Sequence, residues 1–200
     1  MQSIQNLKQL ELYVEKFSKL PCVWFVCGGW AVDLFLGKAT RIHSDVEIGF
    51  FREDQNLAFN AIKDLQPEWV IEKKFYPWVD GQYLELPIHE VWCQKSNPIL
   101  EILFNEKKEN LFVFRRDTRI VMPLNRAILI AKNGVPFLAP EIVLLYKSKH
   151  TQEKDEIDFK SVLPFLDVDS ITWLHSSLTV MYESDHPWII SLNQLLITNN

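Results

Sequence analysis

The chain has 200 residues, room for one sizeable domain or two small ones. Its 48% hydrophobic and 24% charged residues exclude a disordered chain, and ten Pro with six Gly exclude collagen-like or glycine-rich low-complexity sequence. The 21 Lys and Arg against 26 Asp and Glu leave a net charge of −5, which disfavours a long nucleic acid as main ligand and suits a cationic small molecule.

Residues 4 to 19 place Ile4, Leu7, Leu10, Leu12, Tyr13 and Phe17 near helical spacing, and Pro21 ends that helix. This opening is an amphipathic helix pattern, not a signal peptide. The apolar run CVWFVC at 22 to 27 predicts a buried strand. Gly28-Gly29 follows at once, and WAVDLFL predicts a helix that ends at Gly37. DVEIGFF at 45 to 51 predicts a second strand, and a helix follows over 54 to 65 with Asp54 as its N-cap. Residues 69 to 122 predict several strands (WVIEKKF, YLELPIHEVWC, ILEILFN, LFVFR) separated by turn signals, with Arg115-Arg116-Asp117 read as a charged turn. From residue 125 onward NRAILIAK, APEIVLLYKSK, 154 to 166, SITWLHSSLTVMY and HPWIISLNQLLI all predict helices, with Pro140 and Pro187 at helix starts. No apolar run approaches the ~20 residues of a membrane span. Cys22, Cys27 and Cys93 have no C-x-x-C spacing and predict buried free thiols in a reducing cytoplasm. A soluble, cytoplasmic protein is expected.

Three features carry chemistry. A strand, two glycines and a helix form a turn whose free amides suit a polyphosphate, although glycine pairs also mark ordinary tight turns. Asp45 and Glu47 lie two apart on a strand and so project from the same face. Such a pair is either a solvated edge or a binding site for a divalent cation such as Mg²⁺, which joins carboxylates to substrate phosphates. Glu101 stands alone in the apolar strand PILEILFNE and faces either solvent or that site, with Glu85 and Glu90 as rivals.

The run GGWAVDLFLGKATRIHSDVEIGFFRED resembles the nucleotidyltransferase signature of the polymerase-beta-like superfamily, in its antibiotic-modifying branch of aminoglycoside adenylyltransferases and lincosamide nucleotidyltransferases. The matching positions are Gly28, Gly29, Trp30, Ala31, Asp33, Gly37, Thr40, Arg41, His43, Asp45 and Glu47; the second acid is Glu where Asp is commoner. The resemblance implies an α+β fold: a nucleotidyltransferase-type mixed β-sheet with flanking helices over residues 1–124, then a C-terminal helical cluster, 125–200, packed on it. It also implies an Mg²⁺-dependent transfer of a nucleoside monophosphate, from ATP or another nucleoside triphosphate, to a hydroxyl of a small molecule such as an aminoglycoside-like or lincosamide-like antibiotic. Asp45 and Glu47 would hold the metal, and Glu101 would be the third ligand or the base. Gly28, Gly29, Trp30, Arg41, His43 and Lys147 are nucleotide-binding candidates. Arg41 and His43 also fit a purely structural loop, and Lys147 a solvated helix end. The alternative is a catalytically weak protein of this fold acting as an antitoxin-like or regulatory partner. Nucleic acid as acceptor is disfavoured, and no membrane role is expected.

Overall fold

The computed structural model describes the backbone of residues 2–198 and the side chains of residues 9–197. Helix α1 (Gln2–Phe17) leads into strand β1 (Trp24–Val26), helix α2 (Gly28–Leu36) and strand β2 (Asp45–Phe51). Helix α3 (Gln55–Ile62) precedes β3 (Glu68–Ile71), β4 (Lys74–Pro77), β5 (Glu90–Cys93), β6 (Ile99–Lys108), β7 (Leu111–Val113) and β8 (Val121–Pro123). A single helical turn α4 (Leu124–Ala127) joins β9 (Ile128–Ile130) and β10 (Pro136–Leu138). Four helices close the chain: α5 (Pro140–Lys147), α6 (Glu153–Val162), α7 (Val168–Met181) and α8 (Pro187–Thr198).

The main sheet runs β4-β3-β5-β6-β2-β1-β10-β9, and β7 extends from the far end of β6 to β8. It is mixed: β2 lies parallel to β6 and β1 parallel to β10, while the other pairs are antiparallel. The fold is α+β, as the sequence predicts.

The alternation of β2 sets the two faces. Val46, Ile48 and Phe50 are buried on one side, and Asp45 and Glu47 emerge half-buried on the other. Helix α1 covers the apolar side. Its Phe17 meets Phe50 edge-on at 5.3 Å, and the Tyr13 hydroxyl donates to the Pro98 carbonyl at 2.6 Å. Each such fully buried aromatic contributes about 1.5–3 kcal/mol. Ile4 and Leu7 lie outside the described side chains. Helix α3 presents Ala58, Phe59 and Ile62 to the core, but Asp54 ahead of it makes no side-chain cap.

Two stretches differ from the sequence reading. Only Glu90–Cys93 of YLELPIHEVWC is a strand, because Pro87 interrupts the ladder ahead of it. The sheet also continues past residue 124, into a segment expected to be helical. There β9 and β10 form a hairpin at one edge of the sheet, and β10 pairs with β1. Asn133-Gly134, with Gly134 at φ 82°, supplies the turn. The helical cluster therefore starts at Pro140. Its α6 is stacked on α8 through Phe159 and Trp188, at 4.3 Å and 7° between ring planes. No helix among the described residues is long and apolar enough to cross a membrane. The cysteines are unpaired, and burial pushes the Cys93 thiol up to about 12 and Cys22 to about 11, which disfavours the thiolate at both.

Candidate active site

The site is built where β1 turns into α2 and β2 lies beside β6. Helix α2 opens on Gly28 in the left-handed region, φ 57°, with no side-chain cap, so its first amides have no partner within the helix. The carboxylate of Glu47 fills this position. It accepts from the Gly29 N–H, and a methyl group at Gly28 would overlap Glu47 Oε2. Only glycine leaves room for that contact. The approach is fixed by the backbone, since the Cys27 amide donates to the Glu47 carbonyl at 2.8 Å.

The parallel register of β2 and β6 sets Glu47 directly opposite Glu101. Neighbours across a sheet project from the same face, so Asp45, Glu47 and Glu101 form one acidic group. On β5, Trp92 lies opposite Glu101 and Glu90 opposite Leu103, so Glu90 joins the same face a strand further out. Glu85, the other rival, is exposed on the loop before β5.

This group is short of compensating charge. Burial, then the charge of Asp45, raises the Glu47 carboxyl, against the pull of Lys147 and the Gly29 amide. Burial and the charges of Glu47, Glu90 and Asp45 push Glu101 well above the ordinary glutamate range. Glu90 is held below that range, chiefly by its hydrogen bond to His89, whose Nε2 lies 2.9 Å from Glu90 Oε1. Among the described residues no three His, Cys, Asp or Glu side chains are drawn together closely enough to hold a metal ion as they stand. The reason is visible at Glu47, whose carboxylate is turned onto α2. The donors are all hard oxygen anions, the type that Mg²⁺ prefers, and their mutual repulsion is what a cation would relieve.

A cleft of about 230 Å³ opens over this face. Gly28, Glu47, Glu90 and Glu101 line one part, and Arg115, Arg116, Tyr146 and Lys147 another. Nothing local in the sequence marks Arg115, Arg116 or Tyr146 as cleft residues. Arg115 and Arg116 do lie in the expected turn after β7, but the path of β6 and β7 carries that turn to the cleft wall.

Trp30, His43, Arg41 and Gly29, four of the nucleotide-binding candidates, have partners within the chain. Trp30 is 2% exposed, donates its indole N–H to the Asp45 carbonyl at 2.8 Å, and packs on His43 at 4.5 Å. It is a strut under Asp45 with no surface for a nucleotide. His43 is buried and bonded through Nε2 to the Asp33 carboxylate at 2.7 Å; Thr40 donates to the other oxygen of Asp33 through its amide and hydroxyl. Arg41 lies outside the cleft lining and makes a two-pronged bond to Asp158 at 3.0 Å per arm. Gly29 serves through its amide, while the space a side chain would take there is filled by Arg41 and His43. Lys147 does reach the cleft, and is paired with Asp155 at 2.7 Å and Asp158 at 3.0 Å. Asp158, fully buried on α6, thus ties the motif loop to the helical cluster and α6 to α5 within it.

The chain that carries this site is similar to known proteins. Residues 9–162 match the family model for aminoglycoside-2''-adenylyltransferase. The chain belongs to this family. It is therefore a nucleotidyltransferase of the antibiotic-modifying branch. A search of curated protein sequences found no significant match. Among solved structures, the fold is shared with the antibiotic-resistance factor ANT(2'')-Ia in solution, at TM-score 0.63 and 13% identity, over 90% of this chain and 94% of that one. The same protein in complex with adenylyl-2''-tobramycin gives TM-score 0.61 and 12% identity, over 89% and 99%. The lincosamide antibiotic adenylyltransferase LnuA with lincomycin bound gives TM-score 0.59 and 18% identity, over 80% and 97%.

Proposed function

We propose that the chain transfers a nucleoside monophosphate, AMP from ATP, to a hydroxyl of an aminoglycoside-like or lincosamide-like small molecule, with Mg²⁺ held by Asp45, Glu47 and Glu101. The observation that carries this reading is the β2–β6 register, which sets Glu101 beside Glu47 at the open end of α2. When bound, Mg²⁺ would offset the phosphate charge and relieve the repulsion among the carboxylates.

The remaining work falls to this chain's residues. Glu101, beside Glu47 across the sheet, serves either as the third metal ligand or, free of the metal, as the base for the acceptor hydroxyl. As the hydroxyl proton leaves, the acceptor oxygen forms a bond to the α-phosphorus, the bond to the β-phosphate oxygen breaks, and pyrophosphate leaves. Lys147 brings positive charge to the cleft wall from the helical cluster, and its pairs with Asp155 and Asp158 hold it in place. The amides opening α2 can donate to a phosphate once Glu47 turns from Gly29 toward the metal. Trp30 and His43 act at one remove, by fixing the backbone of Asp45. The names of the structural relatives, one with lincomycin bound and one with an adenylylated tobramycin, support an antibiotic as acceptor.

The test is incubation of the purified chain with Mg²⁺ and ATP against aminoglycosides and lincosamides, with mass spectrometry of the acceptor. The expected product carries one added AMP, and Asp45→Asn forms none while melting as a folded protein. Turnover retained in Asp45→Asn would remove the metal role assigned to this strand.

A further inference from the structure

The other lysine and arginine that line the cleft, Lys147 and Arg116, have partners. Lys147 is paired with two aspartates. Arg52, outside the lining, pairs with Glu106 at 2.6 Å and keeps one buried Nη2 without a partner. Arg116 donates to the Tyr146 carbonyl and lies over the Tyr146 ring at 5.2 Å. Arg115 is different. It is half-buried in the cleft wall, yet among the described residues its guanidinium makes no ion pair and no side-chain hydrogen bond. Burial lowers its proton affinity, and Arg116 and Arg52 repel it, with Tyr146 and Glu90 only partly offsetting this. A guanidinium taken from water without a carboxylate is costly. Its planar array of donors matches a phosphate two-pronged.

Glu47 and Glu101 line the same cleft. A triphosphate whose α-phosphate lies at the metal held by the carboxylates carries further negative charge on its terminal phosphates, which a free guanidinium in the same cleft can offset. We infer that Arg115 binds the terminal phosphates of the nucleoside triphosphate, and then the pyrophosphate that leaves. This assignment rests on the nucleotidyl-transfer reading above and deepens it, since it names the residue that distinguishes a triphosphate from a monophosphate.

The test is isothermal titration of ATP, inorganic pyrophosphate and AMP, each with Mg²⁺, into wild type, Arg115→Gln, Arg115→Lys and Lys108→Gln. The last removes the same charge from an exposed position at the end of β6. Thermal melts accompany each titration. Arg115→Gln is expected to weaken ATP and pyrophosphate by about ten- to a hundredfold, the loss of one charge-assisted contact, and to leave AMP unchanged. Arg115→Lys is expected to recover part of the loss, and Lys108→Gln to match wild type. The melting temperature of Arg115→Gln should equal or exceed that of wild type, since a guanidinium without a partner holds nothing together. Equal ATP and pyrophosphate affinities in wild type and Arg115→Gln would overturn this assignment alone. So would an equal loss for AMP, or a large drop in melting temperature, either of which marks a structural residue. Failure of folded wild type to bind any of the three would overturn the nucleotidyl-transfer reading, and this assignment with it.

Discussion

Asp158→Ala removes one carboxylate that holds three parts of the molecule together. Asp158 is fully buried, accepts from both arms of Arg41 at 3.0 Å, and lies 3.0 Å from Lys147 Nζ. Burial alone would raise its proton affinity, but the Arg41 hydrogen bonds and the Lys147 charge outweigh that and hold it below the usual aspartate range. The alanine variant leaves Lys147 with Asp155, whereas Arg41 keeps only a contact to the Ile42 carbonyl. Removing one partner of a buried pair costs about 3–5 kcal/mol, because the remaining charge stays out of water. For a chain of this size that lowers the melting temperature by roughly 6–20 °C. Denaturant titration at pH 7 and a thermal melt measure it. The gap has a defined pH dependence. A carboxyl with a depressed folded value contributes fully above its unfolded value of about 3.9, and the contribution is lost as pH falls through the folded value. The difference between wild type and Asp158→Asn should therefore be constant above about pH 5 and close below about pH 4. An unfolding free energy within about 1 kcal/mol of wild type for Asp158→Ala would refute the claim that this carboxylate ties the motif loop to the helical cluster.

Other substitutions read the site itself. Glu101→Gln removes a buried charge repelled by Glu47, Glu90 and Asp45. It should stabilise the metal-free protein by on the order of 1 kcal/mol, seen as a higher melting temperature, while abolishing transfer. Gly28→Ala puts a methyl group onto Glu47 Oε2 and a side chain at positive φ. The backbone cost is about 1–2 kcal/mol, and the displaced carboxylate should lower kcat by about a hundredfold. Trp30→Phe keeps one aromatic ring but loses the pyrrole ring and with it the hydrogen bond to the Asp45 carbonyl. It should cost about 1 kcal/mol in a denaturant titration and leave the KM for nucleotide unchanged; a raised KM at unchanged stability would return Trp30 to the nucleotide site.

The local parts of the site were legible in the sequence, because they depend on spacing within one element. Asp45 and Glu47 share a strand face by the period of two, and a glycine pair before a helix can only make a tight turn with open amides. What spacing does not encode is register. Glu85, Glu90 and Glu101 are equivalent as carboxylates in strand-like sequence, and only the β2–β6 pairing singles out Glu101 as the neighbour of Glu47. Arg41 and His43 show the converse difficulty. Their residue types suit phosphates, yet the fold supplies buried acceptors, Asp158 and Asp33, that satisfy them first. Arg115 was hidden because 68 residues and several strands separate it from Glu47 in the chain, while the path of the strands joins them in one cleft. The β9–β10 hairpin is different: Asn133-Gly134 is a strong turn signal in the sequence itself, but NRAILIAK before it has the pattern of a helix.

The central claim is that the acids on β2 hold a metal-bound nucleoside triphosphate. Calorimetric titration of non-hydrolysable ATP, with and without Mg²⁺, into wild type and Asp45→Ala tests it without knowledge of the acceptor. The account predicts binding that requires Mg²⁺ in wild type and disappears in a folded Asp45→Ala. Unchanged binding in that variant, or no triphosphate binding by folded wild type, would contradict it.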